Sequence, residues 1–270
     1  MKFFSKKSLT KLAIGAAVAI PIAIAAGPVS ATHSWNGYHW LRTSAELTIP
    51  VYDNVDANWQ AYYDQAVNDW NQSTVINSPK LQGSINPKTC KAVAGTIQVC
   101  NASYGRNGWL GLASISISGG HISQGTTKVN DSYYNTAQYN TPSWRAAVMC
   151  QEIGHDYGLG HQDENSATDL TNSCMDYTNV PAGNEHPDSH DFEQLLSIYN
   201  HLESGMTAGG RGSLGLGVDS GNTPAEWGRA VHFDRQGRPD YFERIDAPGH
   251  KTVTHVYWAV GEGPRGNKTN

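Results

Sequence analysis

The apolar positions of the chain follow two rhythms. Over residues 58–72, Trp59, Tyr62, Ala66, Val67 and Trp70 recur three and four apart, which places them on one face of a helix. Such an aromatic stripe predicts a helix packed on a sheet. Residues 142–157 repeat the rhythm with Trp144, Ala147, Val148, Cys150 and Gln151. Thr141 suits the N-cap of that helix, Pro142 its first turn, and Gly158 the left-handed residue that ends it. A last helix is predicted to open at Pro187-Asp188-Ser189, with Phe192, Leu195, Leu196, Tyr199 and Leu202 on one side. Two-residue alternation predicts strands over 46–52, 96–99, 110–117 and 121–129, the last two joined by a Gly119-Gly120 turn. Beyond residue 204 the pattern changes. Residues 205–221 are glycine-rich, and three strand-like runs follow at 230–233, 241–245 and 253–260.

These elements give an α+β fold: a twisted mixed sheet, one helix before a central helix and one after it, and a small β-rich tail. The organisation read from the chain is a leader over 1–31, a main domain over 32–204, a linker over 205–223 and a separate module over 224–270. The leader has a basic start (Lys2, Lys6, Lys7, Lys11), an apolar run over 12–26 and a small-residue cleavage site at Val29-Ser30-Ala31. Gly15 and Pro21 interrupt that run, which is short for a span of about 20 residues. Cleavage and secretion are therefore expected, with no membrane attachment afterwards.

Composition adds two constraints. Net charge is -5, with no lysine or arginine stripe past the leader, so a nucleic-acid partner is not expected. The chain has four cysteines, which should pair in an exported protein. Four allow three connectivities; Cys90–Cys100 and Cys150–Cys174 are expected, the second tying the central helix to a loop beside it. A monomer is expected.

The candidate chemistry lies at the end of the central helix, in Cys150-Gln151-Glu152-Ile153-Gly154-His155-Asp156-Tyr157-Gly158-Leu159-Gly160-His161. Residues 151 and 155 project together from a helix. Glu152 lies beside them, and Gly158 lets the chain turn so that His161 approaches from below. This stretch reads as H-E-x-x-H-x-x-G-x-x-H with glutamine in the first histidine's place. With Ser173-Cys174-Met175-Asp176-Tyr177 downstream, it resembles the metzincins, the zinc endopeptidase clan that includes matrixins, astacins and snapalysins. The resemblance covers residues 46–202 and omits the tail. It implies Zn2+ held by Gln151, His155 and His161, a turn at Met175 beneath the metal, and a metal-activated water with Glu152 as general base. It also implies that Tyr177 ligates the metal or stabilises the oxyanion. A protein or peptide substrate is expected as an extended strand along the edge strand within 110–129.

Gln151 departs from that pattern, and three readings stay open. In the first, it ligates through its carbonyl oxygen, a weaker donor for zinc than imidazole. In the second, the metal is held by His155, His161 and another group, Tyr177 and Asp163 being nearest in sequence. Or the fold is retained for peptide binding without catalysis. A zinc hydrolase acting on another substrate, such as cell wall, is a further alternative. Outside the motif, His33, His39, His201, His232, His250 and His255 read as structural or exposed, His121 as an edge-strand residue, and His186 and His190 as polar residues flanking the last helix.

Overall fold

The computed structural model describes residues 1–2, 33–164, 172–204 and 219–264. The expected leader and most of the expected linker lie outside these residues. Among the described residues, no helix is long and apolar enough to cross a membrane.

The chain is built on a mixed sheet. Its strands are β1 (His39–Trp40), β3 (Val51–Asn54), β5 (Lys80–Gln82), β6 (Ile97–Ala102), β7 (Trp109–Ser118), β8 (His121–Asn130), β9 (Arg229–Phe233), β10 (Pro239–Ala247) and β11 (His250–Trp258). The order is β5-β3-β6-β8-β7-β11-β10-β9, with β1 pairing parallel to the start of β8. β5, β3, β6 and β8 run parallel, and every pairing from β8 through β7 to β9 is antiparallel. A two-stranded piece joins β2 (Leu47–Thr48) to β4 (Ile76–Asn77).

The helices are α1 (Gln60–Trp70), the single turn α2 (Asp131–Tyr134), α3 (Pro142–Asp156), α4 (Ser189–Tyr199) and the single turn α5 (Pro224–Trp227). α3 packs on α1, β7, β8 and β11. The indole of Trp70 on α1 donates to the Cys150 carbonyl of α3 at 3.0 Å. The expected cap is present, Thr141 Oγ1 accepting from Trp144 N at 3.3 Å. α4 begins with a capping box between Asp188 and Asp191. Two glycines bring α3 close to the sheet. A Cβ at Gly111 on β7 would lie 2.6 Å from Glu152 Oε1, and one at Gly125 on β8 would lie 2.8 Å from Asp156 Oδ1.

The tail differs from the separate module that its sequence suggests. β11 pairs with β7 from His250↔Ser118 to Trp258↔Trp109, so the tail continues the main sheet. Strand alternation divides it between two apolar clusters. Val253 and Tyr257 join the main core with Ala113, Ile115 and α3, while Val256 and Trp258 pack with Trp109, Leu112, Trp227 and Phe242 on the other face. Because the link to β7 lies near the far end of the chain, residues 205–221 look like a boundary in sequence without dividing the sheet. Both expected disulfides are present, Cys90–Cys100 and Cys150–Cys174.

Candidate metal centre

Three histidines meet where the last turn of α3, the loop after it and β11 come together. His155 comes from α3, His161 from the loop and His255 from β11, and their candidate ligand atoms lie within 4.8 Å of one another. The ring centroids are 4.0 to 4.9 Å apart. All three Nε2 atoms are buried without a hydrogen-bond partner, whereas each Nδ1 has one. His155 Nδ1 meets the Leu159 carbonyl at 2.8 Å, His255 Nδ1 meets Glu152 Oε2 at 3.0 Å and His161 Nδ1 meets the Tyr241 hydroxyl at 3.4 Å. A proton held on Nδ1 leaves the Nε2 lone pair available, the arrangement of a metal-ligating imidazole. Burial holds the pKa of His255 down to about 3 and those of His155 and His161 well below the usual range, so the rings are neutral. Three converging neutral imidazoles fit zinc and neighbouring transition metals.

Local structure explains the first two placements. α3 ends at Asp156, and Gly158 takes φ 91, where a side chain would collide with the Tyr38 carbonyl. The turned chain is held by residues near the N-terminus: Trp35 N donates to Gly158 O at 2.7 Å, and Gly160 N donates to His33 O. His161 is then carried beside the Met175 turn, where Gln162 N donates to Met175 O and Tyr177 N to Asp163 O, both at 2.8 Å. Met175 lies against Gly154 of α3, beneath the helix that carries His155.

The Gln151 side chain is buried, with its amide nitrogen on the Met175 turn and its Oε1, the atom expected to ligate, without a hydrogen-bond partner. Its amide nitrogen donates to Cys174 O at 2.7 Å and to Asp176 O at 2.9 Å. One NH2 group satisfies two carbonyls of the Met175 turn, and His255 is the third imidazole beside His155 and His161. Tyr177 also differs from expectation. Its ring packs on His161 with centroids 5.1 Å apart, but its hydroxyl accepts from Trp258 N at 3.1 Å and Arg238 Nη2 at 3.3 Å. That hydroxyl anchors the tail, and Tyr241 supplies the one that touches His161.

Glu152 is fully buried, and burial raises its pKa well above the usual carboxylate range. Its Oε2 orients His255, and its Oε1 has no hydrogen-bond partner. Asp163 supplies its backbone carbonyl to the turn, and its carboxylate is not among the groups of the cluster. In sequence His255 reads as an isolated histidine. The available signal was its register: Val253, His255 and Tyr257 share one strand face, so the histidine sits between two apolar core positions.

A cavity of about 420 Å³ adjoins the cluster. Its lining includes His33, Trp35, His161, Glu164, His232 and Tyr241. The expected peptide-binding edge is covered, because β7 lies between β8 and β11. The outer strand on this side is β9, where Val231 and Phe233 are exposed.

No protein-family model matches the chain, and no curated protein matches it. Among solved structures it is similar to that of myroilysin, at 12% identity and a TM-score of 0.36, over 63% of this chain and 99% of that one. At that score the likeness carries no weight for the chain's activity, which is read from the residues of the site.

Proposed function

We propose that the chain is a secreted zinc-dependent endopeptidase, with the metal held by His155, His161 and His255. The observation that carries this reading is the convergence of three buried, unpartnered Nε2 atoms whose Nδ1 partners fix the rings. Zinc at such a site supplies a Lewis acid for the substrate carbonyl and lowers the pKa of water to about 7. Glu152 has two tasks. Oε2 orients His255, and Oε1, ionised once a metal cation offsets the burial that raises its pKa, would take a proton from the attacking water and pass it to the leaving amine. Tyr241 steadies His161, and Gln151 fixes the turn beneath α3.

β11 carries one of the three histidines and buries apolar side chains on both faces of the sheet. It therefore belongs to the site and does not make way for substrate. Substrate enters through the cavity beside His161 and Tyr241. An extended peptide pairs there with β9, whose Val231 and His232 line the same cavity. The protein acts as a monomer.

The test is metal analysis and casein cleavage on the same purified sample, for the secreted form and for His255→Ala. Chelator-sensitive cleavage that disappears in a folded His255→Ala protein supports the reading. A folded, metal-loaded protein that cuts no peptide overturns it. The covered β7 edge favours one second reading, a zinc hydrolase of a substrate that needs no strand pairing, such as a cell-wall amide. Turnover of peptidoglycan but not casein selects that alternative.

A further inference from the structure

We propose a second metal site, structural in kind, formed by His39, His121, His201 and Glu203. It shares no residue with the cluster at α3. His39 and His121 are register partners in the parallel pairing of β1 with β8, which sets their rings side by side with centroids 5.0 Å apart. His201 and Glu203 arrive from the segment after α4, and Glu203 N is fixed on the Arg42 carbonyl at 2.9 Å. Three Nε2 atoms converge on one carboxylate: His121 lies 2.9 Å from Oε1, His39 3.5 Å from Oε2 and His201 3.8 Å from Oε1.

The tautomer at His39 suits ligation. Its Nδ1 meets the Gly37 carbonyl at 2.8 Å, leaving the Nε2 lone pair facing the cluster. His39 Nε2 and Glu203 Oε2 are both closed off from solvent without a hydrogen-bond partner. The candidate ligand atoms of His39, His121 and Glu203 lie within 4.8 Å of one another. Ion pairing alone is a poor account of this arrangement, because one carboxylate balances a single imidazolium while three rings crowd it. A divalent cation would take the unpartnered His39 Nε2 and Glu203 Oε2, and would replace the hydrogen bond between His121 Nε2 and Glu203 Oε1. His39, His121 and Glu203 make a zinc donor set, and His201, outside that 4.8 Å group but 3.8 Å from Glu203 Oε1, is the fourth ligand that would close the coordination of a structural site.

The consequence is mechanical. The metal staples the lead-in strand β1, the β7–β8 turn and the segment after α4. The lead-in also supplies His33, Trp35 and Tyr38 to the wall of the cavity, so the staple holds one wall of the proposed entrance.

The test uses the full secreted chain in a His255→Ala background, so that zinc at the first cluster is disabled and no activity is needed. Dialysed protein titrated with zinc alone should retain about one equivalent and gain thermal stability. Adding His121→Ala, or separately Glu203→Gln, should remove that equivalent and the stability gain, with far-UV circular dichroism unchanged. Glu203→Gln keeps the side chain's shape and guards against simple misfolding. The proposal is overturned if the His255→Ala protein binds no zinc, or if its zinc survives both further substitutions. Neither result bears on peptide cleavage by the unsubstituted site, which the casein assay reads separately.

Discussion

The two halves of the candidate metal centre are built by different means. One half is local: α3, the Gly158 turn and the Met175 turn lie close in sequence and are joined by the Cys150–Cys174 disulfide. The other half is β11, joined to the first by sheet pairing with β7 and by hydrogen bonds such as His255 to Glu152. The local half is visible in sequence because helix and turn geometry convert spacing directly into proximity. The distant half depends on a strand register set across more than a hundred residues, which spacing does not encode. A motif with glutamine at the first histidine's place can therefore meet a third imidazole on a strand that reads as a separate module in sequence.

The largest expected effect comes from removing the distant half. A chain ending after residue 204 loses Tyr241, Phe242, Val253, Val256, Tyr257 and Trp258, all buried. At roughly 1.5–3 kcal/mol for each large apolar side chain, that loss matches or exceeds the whole stability of an ordinary domain, about 5–15 kcal/mol. The truncated chain is expected to aggregate, as read by solubility and circular dichroism. A soluble, cooperatively melting product would show that the tail is an independent module after all.

His255→Ala is the next largest effect and isolates the ligand from the strand. The β7–β11 ladder remains, so the fold should persist while zinc affinity falls by more than the roughly 10–100-fold that loss of a ligand's orienting partner costs. A competitive chelator titration measures this. Unchanged affinity would mean that His155 and His161 find their third partner elsewhere.

Glu152 touches both halves, and two substitutions separate its tasks. Glu152→Gln keeps a carbonyl oxygen facing His255 Nδ1, so it should retain metal and lose cleavage. Glu152→Ala removes that acceptor and should lose cleavage together with roughly 10–100-fold in metal affinity. Equal metal affinity in the two variants would break the link from Glu152 to His255.

The sequence shows much of the framework. Thr141 and Pro142 mark the start of α3, Gly158 marks its end, and the strand runs at 110–117 and 121–129 become β7 and β8. Both disulfides follow from cysteines that lie near each other along the chain. What is not visible is which groups converge at the histidine cluster. Gln151 has the helical position of a ligand; its Nε2 turns to two backbone carbonyls that only the folded Met175 turn presents, and its Oε1 is left without a hydrogen-bond partner. Tyr177 has the sequence position of a catalytic tyrosine, but its hydroxyl meets Trp258 N and Arg238, groups supplied by the tail. In both cases the deciding partner belongs to a tertiary contact.

Gln151→His tests the first of these differences. If residue 151 were the missing ligand, histidine there would raise zinc affinity. In this arrangement histidine cannot replace both N–H donors to Cys174 O and Asp176 O. Each buried carbonyl left without a donor costs about 1–3 kcal/mol, so denaturant unfolding should show a clear loss of stability. Zinc affinity should not rise. A rise would return residue 151 to the metal.

Tyr177→Phe should have the smallest effect and separates anchoring from chemistry. Removing the hydroxyl leaves Trp258 N, at 3.1 Å, without its acceptor, a cost of about 1–3 kcal/mol. The phenylalanine ring can still pack on His161, so the metal site keeps its shape. The expected result is a less stable protein whose kcat on casein stays within a few-fold of the unsubstituted protein's. Tyr241→Phe should show the reverse weighting, because its hydroxyl meets His161 Nδ1 only at 3.4 Å: a small stability change and a measurable weakening of metal binding. If Tyr177→Phe instead removed kcat while leaving stability intact, Tyr177 would be the catalytic hydroxyl, and the division between a tail-anchoring and a site-facing tyrosine would fail.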